Sequence, residues 1–176
     1  CRDNNLDNIT LLGHSMGGKT AMNFAVNHPE LLKKLIVVDI APKQYPPHHD
    51  EILDGLLSFN PSEIKSRQEA DKLMSTKIDN LGIRMFLLKN LTRNDTGGYK
   101  WKMNLALLSE AVNKVIDSTA IPFPINIPTL FIRGAQSNYI LDQDYDIIYE
   151  LFPLAKIENV ENAGHWVHAE NPEKLE

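Results

Sequence analysis

Gly13-His14-Ser15-Met16-Gly17-Gly18 is the stretch of this sequence whose residue types and spacing best suit chemistry. A serine with glycines two positions away on either side can occupy a turn too tight for ordinary backbone angles, its hydroxyl lifted clear of the chain. Such a hydroxyl attacks a carbonyl carbon once a base takes its proton. If a helix starts just after Ser15, the amide of Met16 faces the oxyanion that develops. At average glycine and serine usage the pattern arises by chance in roughly one chain of twenty this long, so the spacing alone decides little. Its placement decides more. Ile9-Thr10-Leu11-Leu12 before it reads as a short buried strand, and Lys19 to Asn27 after it as a helix with Ala21, Met22, Ala25 and Val26 apolar, ended by His28-Pro29. A strand-to-helix switch is where a nucleophilic serine of this kind has to sit.

A serine hydroxyl needs a base within reach, and the base needs an orienting carboxylate. In folds built on such a turn the order along the chain is serine, acid, histidine, with the histidine in a loop after the final strand. His165, in Ala163-Gly164-His165-Trp166, stands there, and His168 is its near competitor. His14, His28, His48 and His49 come too early. His48-His49-Asp50 has the look of a metal cluster, but adjacent histidines seldom converge on one ion and nothing completes a ligand set. It reads as the polar start of an insert, and no metal site is expected. The acid is harder. Its usual place follows the strand Thr129-Leu130-Phe131-Ile132, where the chain reads Gly134-Ala135-Gln136-Ser137 with serine in the acid's position. Asp142, Asp144 and Asp146 come later, at a helix start that carboxylates complement anyway. Asp39 ends the apolar strand Leu35-Ile36-Val37-Val38, and a parallel strand's carboxyl end faces the binding edge of its sheet. A buried aspartate also needs a partner, so Asp39 is favoured, with Asp142, Asp144 and Asp146 as the alternatives.

The elements that must hold these residues follow an α/β rhythm. Strand, helix and strand over residues 1–42 form a βαβ unit whose strands are apolar on both faces, as a parallel sheet requires. Strand signals stop over residues 43–124, where Asp50–Leu57, Pro61–Lys77, Leu81–Leu91 and Asn104–Asp117 have helical spacing and Thr92–Lys100, with Gly97-Gly98, reads as an exposed turn. The rhythm resumes over 125–176 with the Thr129–Ile132 strand, a helix from Leu141 to Phe152, a weaker alternating strand at Lys156–Val160 near the sheet edge, and a last helix opened by Asn171-Pro172-Glu173. The expected fold is α/β, a mostly parallel sheet with helices on both faces, divided into core (1–42), helical cap (43–124) and core (125–176). Leu56, Leu57, Phe59, Met85, Phe86, Trp101 and Met103 are candidates for an acyl pocket, or else pack the cap helices on one another. His14, Trp166 and Phe86 are the candidate substrate contacts.

The bulk numbers exclude more than they assign. The 176 residues are 43% hydrophobic and 23% charged, enough to bury one domain's core. A net charge of -5 argues against nucleic acid as a partner. The lone Cys1 permits no intrachain disulfide and fits a reducing compartment. No apolar run reaches the ~20 residues that span a bilayer. Opening on Cys1-Arg2-Asp3 without a signal peptide, and ending inside a helical pattern, the sequence reads as part of a longer chain.

Gly13-His14-Ser15-Met16-Gly17-Gly18-Lys19, Val38-Asp39-Ile40-Ala41-Pro42, His49-Asp50-Glu51-Ile52, Phe86-Leu87-Leu88-Lys89 and Gly164-His165-Trp166-Val167-His168-Ala169-Glu170 together resemble the YbfF-type esterases. That branch of the α/β-hydrolases takes in mitochondrial ABHD-type hydrolases and fungal ethanol acetyltransferases. The resemblance covers nearly the whole chain. It implies an α/β-hydrolase fold, an acid after the strand that follows the nucleophile, which is Asp39, and serine at position 137. It implies hydrolysis of short-to-medium acyl esters or thioesters without a cofactor, on a small-molecule acyl substrate, in the cytoplasm or, in a eukaryote, the mitochondrion. An alcohol acyltransferase on the same three residues is the first alternative, a non-catalytic ligand-binding protein of the same fold the second. The family's other oxyanion amide lies on a His-Gly loop that would precede Cys1, together with the first strands of the sheet. The isolated chain is therefore expected to be unstable or inactive.

Overall fold

The computed structural model describes residues 1–45, 51–95, 97–110 and 121–175. The His48-His49-Asp50 triplet and residues 111–117 of the expected Asn104–Asp117 helix lie outside them. The chain divides into two compact units, one of Cys1–Tyr45 with Lys114–Glu176, the other Pro46–Asn113. These bounds are narrower for the insert than 43–124: Tyr45 belongs to the apolar core of the first unit and Ile121 packs against it.

The first unit is built on four parallel strands, β1 (Ile9–His14), β2 (Leu32–Val38), β5 (Thr129–Gly134) and β6 (Ala155–Val160), in spatial order β1-β2-β5-β6. Helix α1 (Met16–Asn27) makes the crossover from β1 to β2. Ala21, Met22 and Ala25 of α1 pack on Leu35, Val37 and Phe131 from the sheet, all removed from water. Apolar area of this kind is the main favourable term in the fold, about 25 cal/mol per Å2. Phe131 meets Phe152 edge-to-face at 5.3 Å. β6 stands at the sheet edge, as its alternating sequence suggests. β1 departs from the expectation of a fully buried strand: among the described residues it is paired on one side only, and Leu12 is 56% exposed. The expected helix from Leu141 is a 3-10 turn over Asp142–Asp144 followed by α5 (Tyr145–Leu151), and that at Pro172 a single 3-10 turn over Pro172–Lys174.

The register puts the functional residues level with one another. His14 lies opposite Val38, and Val38 opposite Ile132. Ser15 and Asp39 follow directly, and each stays tied to the neighbouring strand: the Ser15 amide donates to the Val38 carbonyl at 3.0 Å and the Asp39 amide to Ile132 at 2.8 Å. All strands run the same way, so both residues emerge at the same edge of the sheet.

The second unit holds α2 (Glu51–Leu57), α3 (Arg67–Met74), α4 (Leu81–Leu88) and a further helical stretch over 105–110. Ser66 caps α3 by accepting from the Glu69 amide, and Asn80 caps α4 by accepting from the Ile83 amide, both at 3.1 Å. The unit is not all helical. Leu91–Arg93 (β3) and Tyr99–Trp101 (β4) pair antiparallel as a hairpin across the segment expected to be an exposed turn. Leu91 and Tyr99 are buried, so a three-residue alternation too short to read as a strand is held by packing. Buried Arg84 is matched inside the unit, to Asp71 at 2.7 Å and to the carbonyls of Ile78 and Asp79 at 2.8 Å. Leu56 is buried and Phe59, Trp101 and Met103 pack against the same cluster, while Leu57, Met85 and Phe86 are exposed on their helices.

Candidate active site

Ser15 joins β1 to α1 with φ 55° and ψ -122°. An L-residue held there carries strain of about 1–3 kcal/mol, which surrounding contacts have to offset. Two glycines make the turn possible. A Cβ on Gly13 would collide with the Gly17 carbonyl, and one on Gly18 would lie 2.5 Å from Ile40 Cγ2. Gly17, expected to serve the same close approach, faces open space, with nothing within 4 Å of a Cβ built on it. Ser15 precedes α1 yet makes no side-chain cap to it, so its hydroxyl is left for another partner. Met16 is the first residue of α1, where a backbone N–H has no carbonyl four residues back to bind.

That partner is His165. The Ser15 hydroxyl donates to His165 Nε2 at 2.9 Å, and His165 Nδ1–H donates to Asp39 Oδ2 at 2.8 Å. Asp39 is wholly buried, also with positive φ. Its carboxylate is satisfied by three donors: His165, the Gly134 amide on Oδ1 at 3.0 Å, and the Ser137 hydroxyl on Oδ2. This fixes the tautomer, because Nδ1 carries the proton and Nε2 keeps its lone pair toward Ser15. The loop bearing His165 is held by the Gly164 amide, which donates to Glu170 at 2.5 Å.

The other candidates fall elsewhere. His168 is on α6 (Val167–Glu170), its ring 5.2 Å from that of His14. Asp142 pairs with Arg133, Asp144 takes the Lys43 ammonium at 2.5 Å and the Leu141 amide at 2.8 Å, and Asp146 lies in the first turn of α5. Trp166 lies with its ring 5.6 Å from His14 and 6.0 Å from His165. Phe86 is on α4 of the second unit. Among the described residues no acidic, histidine or cysteine group is placed to hold a metal ion, and no helix is long and apolar enough to cross a membrane.

His14, a candidate substrate contact, donates from Nε2 to the His165 carbonyl at 2.7 Å. Burial pushes its pKa down from 6.5 to about 4. The His165 carbonyl and Asp39 oppose that shift, and the charges of His165 and His168 reinforce it. Unfolded, His14 takes a proton as pH falls through 6.5; folded, it refuses one until about 4. The stability it contributes is therefore complete above 6.5 and is lost as pH drops from 6.5 toward 4. After allowance for its partial exposure this is about 2 kcal/mol. In His14→Gln, whose amide can still donate to the carbonyl, the urea midpoint falls less between pH 7 and pH 4.5 than in the native protein. Equal losses would remove His14 from the acid response.

Sequence reasoning passed over three contributors. Ser137 was visible as a serine in the acid's usual place, though not as a donor to Asp39. Glu170 and Tyr139, whose ring stacks on His165 with centroids 3.8 Å apart, carry no local signal.

Known proteins of the same fold match nearly the whole chain. The family described as alpha/beta hydrolase fold matches residues 1–172. The chain is 38% identical over 170 residues to the sn-1-specific diacylglycerol lipase ABHD11 of Mus musculus, covering 93% of this chain and 55% of that one. It is 34% identical over 171 residues to the esterase YbfF of Escherichia coli (strain K12), covering 97% and 65%. A solved marine microorganism esterase superposes with a TM-score of 0.92 at 42% identity, covering 99% of this chain and 69% of that one. The chain thus spans between about half and two thirds of the length of these curated relatives.

Proposed function

The chain belongs to the alpha/beta hydrolase fold family, and from that premise we propose that its protein is a serine hydrolase cleaving short-to-medium acyl carboxylic esters through Ser15, His165 and Asp39. The observation that carries this reading is the unbroken line from a strained, uncapped Ser15 hydroxyl to His165 at 2.9 Å and on to buried Asp39 at 2.8 Å. Esterase and lipase names among the relatives fit it.

His165 Nε2 accepts the Ser15 proton as Oγ bonds to the ester carbonyl carbon. The carbonyl oxygen takes up negative charge, which the Met16 amide at the start of α1 stabilises. Asp39 holds the imidazolium and keeps its ring oriented. The proton then passes to the departing alkoxide, leaving an acyl group on Ser15. Water, deprotonated by the same imidazole, bonds to the acyl carbon; the acyl–Oγ bond breaks, the imidazolium returns its proton to Ser15 Oγ, and the acid leaves. A fluorophosphonate probe on the complete protein is expected to add one phosphonyl group at Ser15, read by mass spectrometry of the Ser15 peptide. A native, folded protein that stays unlabelled would overturn the proposal.

A further inference from the structure

We propose that Tyr139 is a positioning residue for the base, its ring forming a fixed wall on which the His165 imidazole is stacked; the inference rests on the hydrolase reading above. The two rings lie nearly parallel, 19° apart, with centroids at 3.8 Å. His165 acts only while Nε2 meets Ser15 and Nδ1 meets Asp39. Rotation about its Cβ–Cγ bond breaks both contacts at once. A flat aromatic surface against one face of the imidazole blocks that rotation without consuming either nitrogen.

The wall is itself anchored from three sides. The Tyr139 carbonyl accepts the Tyr45 hydroxyl at 2.5 Å, and the Tyr139 amide donates to Ser137 Oγ at 3.2 Å, the same hydroxyl that binds Asp39. The Tyr139 ring also packs against the buried core beside Tyr45, with ring centroids 5.5 Å apart. Tyr45 is buried and accepts the Ala41 amide at 2.8 Å. The ammonium groups of Lys19 and Lys43 lie 5.1 and 5.2 Å from its ring centroid. Burial pushes the Tyr45 phenol well above its ordinary value, so it remains an O–H donor throughout the working range of a hydrolase. One short segment, Gly134 to Tyr139, thereby orients both the acid and the base: Gly134 and Ser137 hold Asp39, and Tyr139 holds His165.

The stack also faces the charge that appears during turnover. When His165 takes the serine proton it becomes a cation against the electron-rich face of a phenol, a favourable arrangement. Removing the ring therefore affects the chemical step more than substrate binding.

The test compares Tyr139→Leu with Tyr139→Phe in the complete protein, each normalised to sites titrated with a fluorophosphonate. In Tyr139→Leu, kcat is expected to fall about 10- to 100-fold with KM nearly unchanged, because a small misplacement of a catalytic group costs that much. Tyr139→Phe, which keeps the wall, is expected to restore kcat to within about threefold, since a phenyl face offers comparable stacking. The His165 Nδ1–H proton resonance should be sharp in the native protein and in Tyr139→Phe, and broadened in Tyr139→Leu. Native kcat per titrated site in a folded Tyr139→Leu, or equal losses in both variants, would overturn the proposal. If the native protein neither labels nor turns over esters, the hydrolase reading fails. The Nδ1–H resonance then decides the role of Tyr139 by itself: broadening in the leucine variant supports it and a sharp signal refutes it.

Discussion

Ser15→Ala in the complete protein is expected to lower kcat for p-nitrophenyl butyrate by about a million-fold, the loss typical of removing a nucleophile from a coupled serine site. The fold should hardly respond. The Ser15 side chain does not cap α1, and its hydroxyl is bonded to His165. Alanine meets the same backbone strain at φ 55° as serine does, since both carry a Cβ. The turn itself is set by atoms the substitution leaves alone: the Ser15 amide on Val38, and the Gly18 amide on the Ser15 carbonyl at 2.8 Å. His165 retains Asp39 and loses only a partner that water can replace. A native Tm with activity reduced to background is the expected pair of results, checked by thermal melting and by initial rates on one preparation. Activity within tenfold of native would mean that another group attacks the ester.

How much of this was legible in the sequence follows from what sets each feature. The elbow was readable because a residue at positive φ with close backbone approach on either side demands glycine at particular spacings, and Gly13 and Gly18 carry that demand. Gly17 fits the pattern without serving the packing assigned to it. His165 was readable because a loop after the last strand must return to the sheet edge where Ser15 emerges. Asp39 was readable because a charged side chain at the end of Leu35-Ile36-Val37-Val38 can be buried only with partners. Its partners were not readable: Gly134 and Ser137 come together with Asp39 through the pairing of β2 with β5, which lies some ninety residues away along the chain. The β3–β4 hairpin escaped for a related reason, because strands of three residues have too little periodicity and their pairing rests on buried Leu91 and Tyr99. Tyr139 escaped because a stacking partner needs no particular spacing.

The second large effect belongs to Asp39→Asn, expected to lower kcat by about ten thousand-fold, the loss seen when the tautomer of a catalytic histidine is reversed. The carboxylate accepts from three donors and gives nothing in return. An asparagine brings one acceptor and one donor to the same space. With its oxygen toward the Gly134 amide, its NH2 group confronts His165 Nδ1–H. The imidazole then moves its proton to Nε2, where it points at Ser15 and cannot accept the serine proton. The Ser137 hydroxyl can turn to accept from the new amide, so this arrangement leaves the fold nearly intact. With the amide reversed, its NH2 opposes the Gly134 N–H, and a buried unmatched donor of that kind costs about 1–3 kcal/mol. The first arrangement is therefore preferred, and the substitution should silence the site while sparing most of the stability. Asp142→Asn is the control, because Asp142 is 88% exposed on its side chain and pairs with Arg133; its kcat should match the native protein. Rates and melting curves for the two variants decide between the carboxylates. If Asp142→Asn proved the more damaging, the orienting role would pass from Asp39 to the loop after β5.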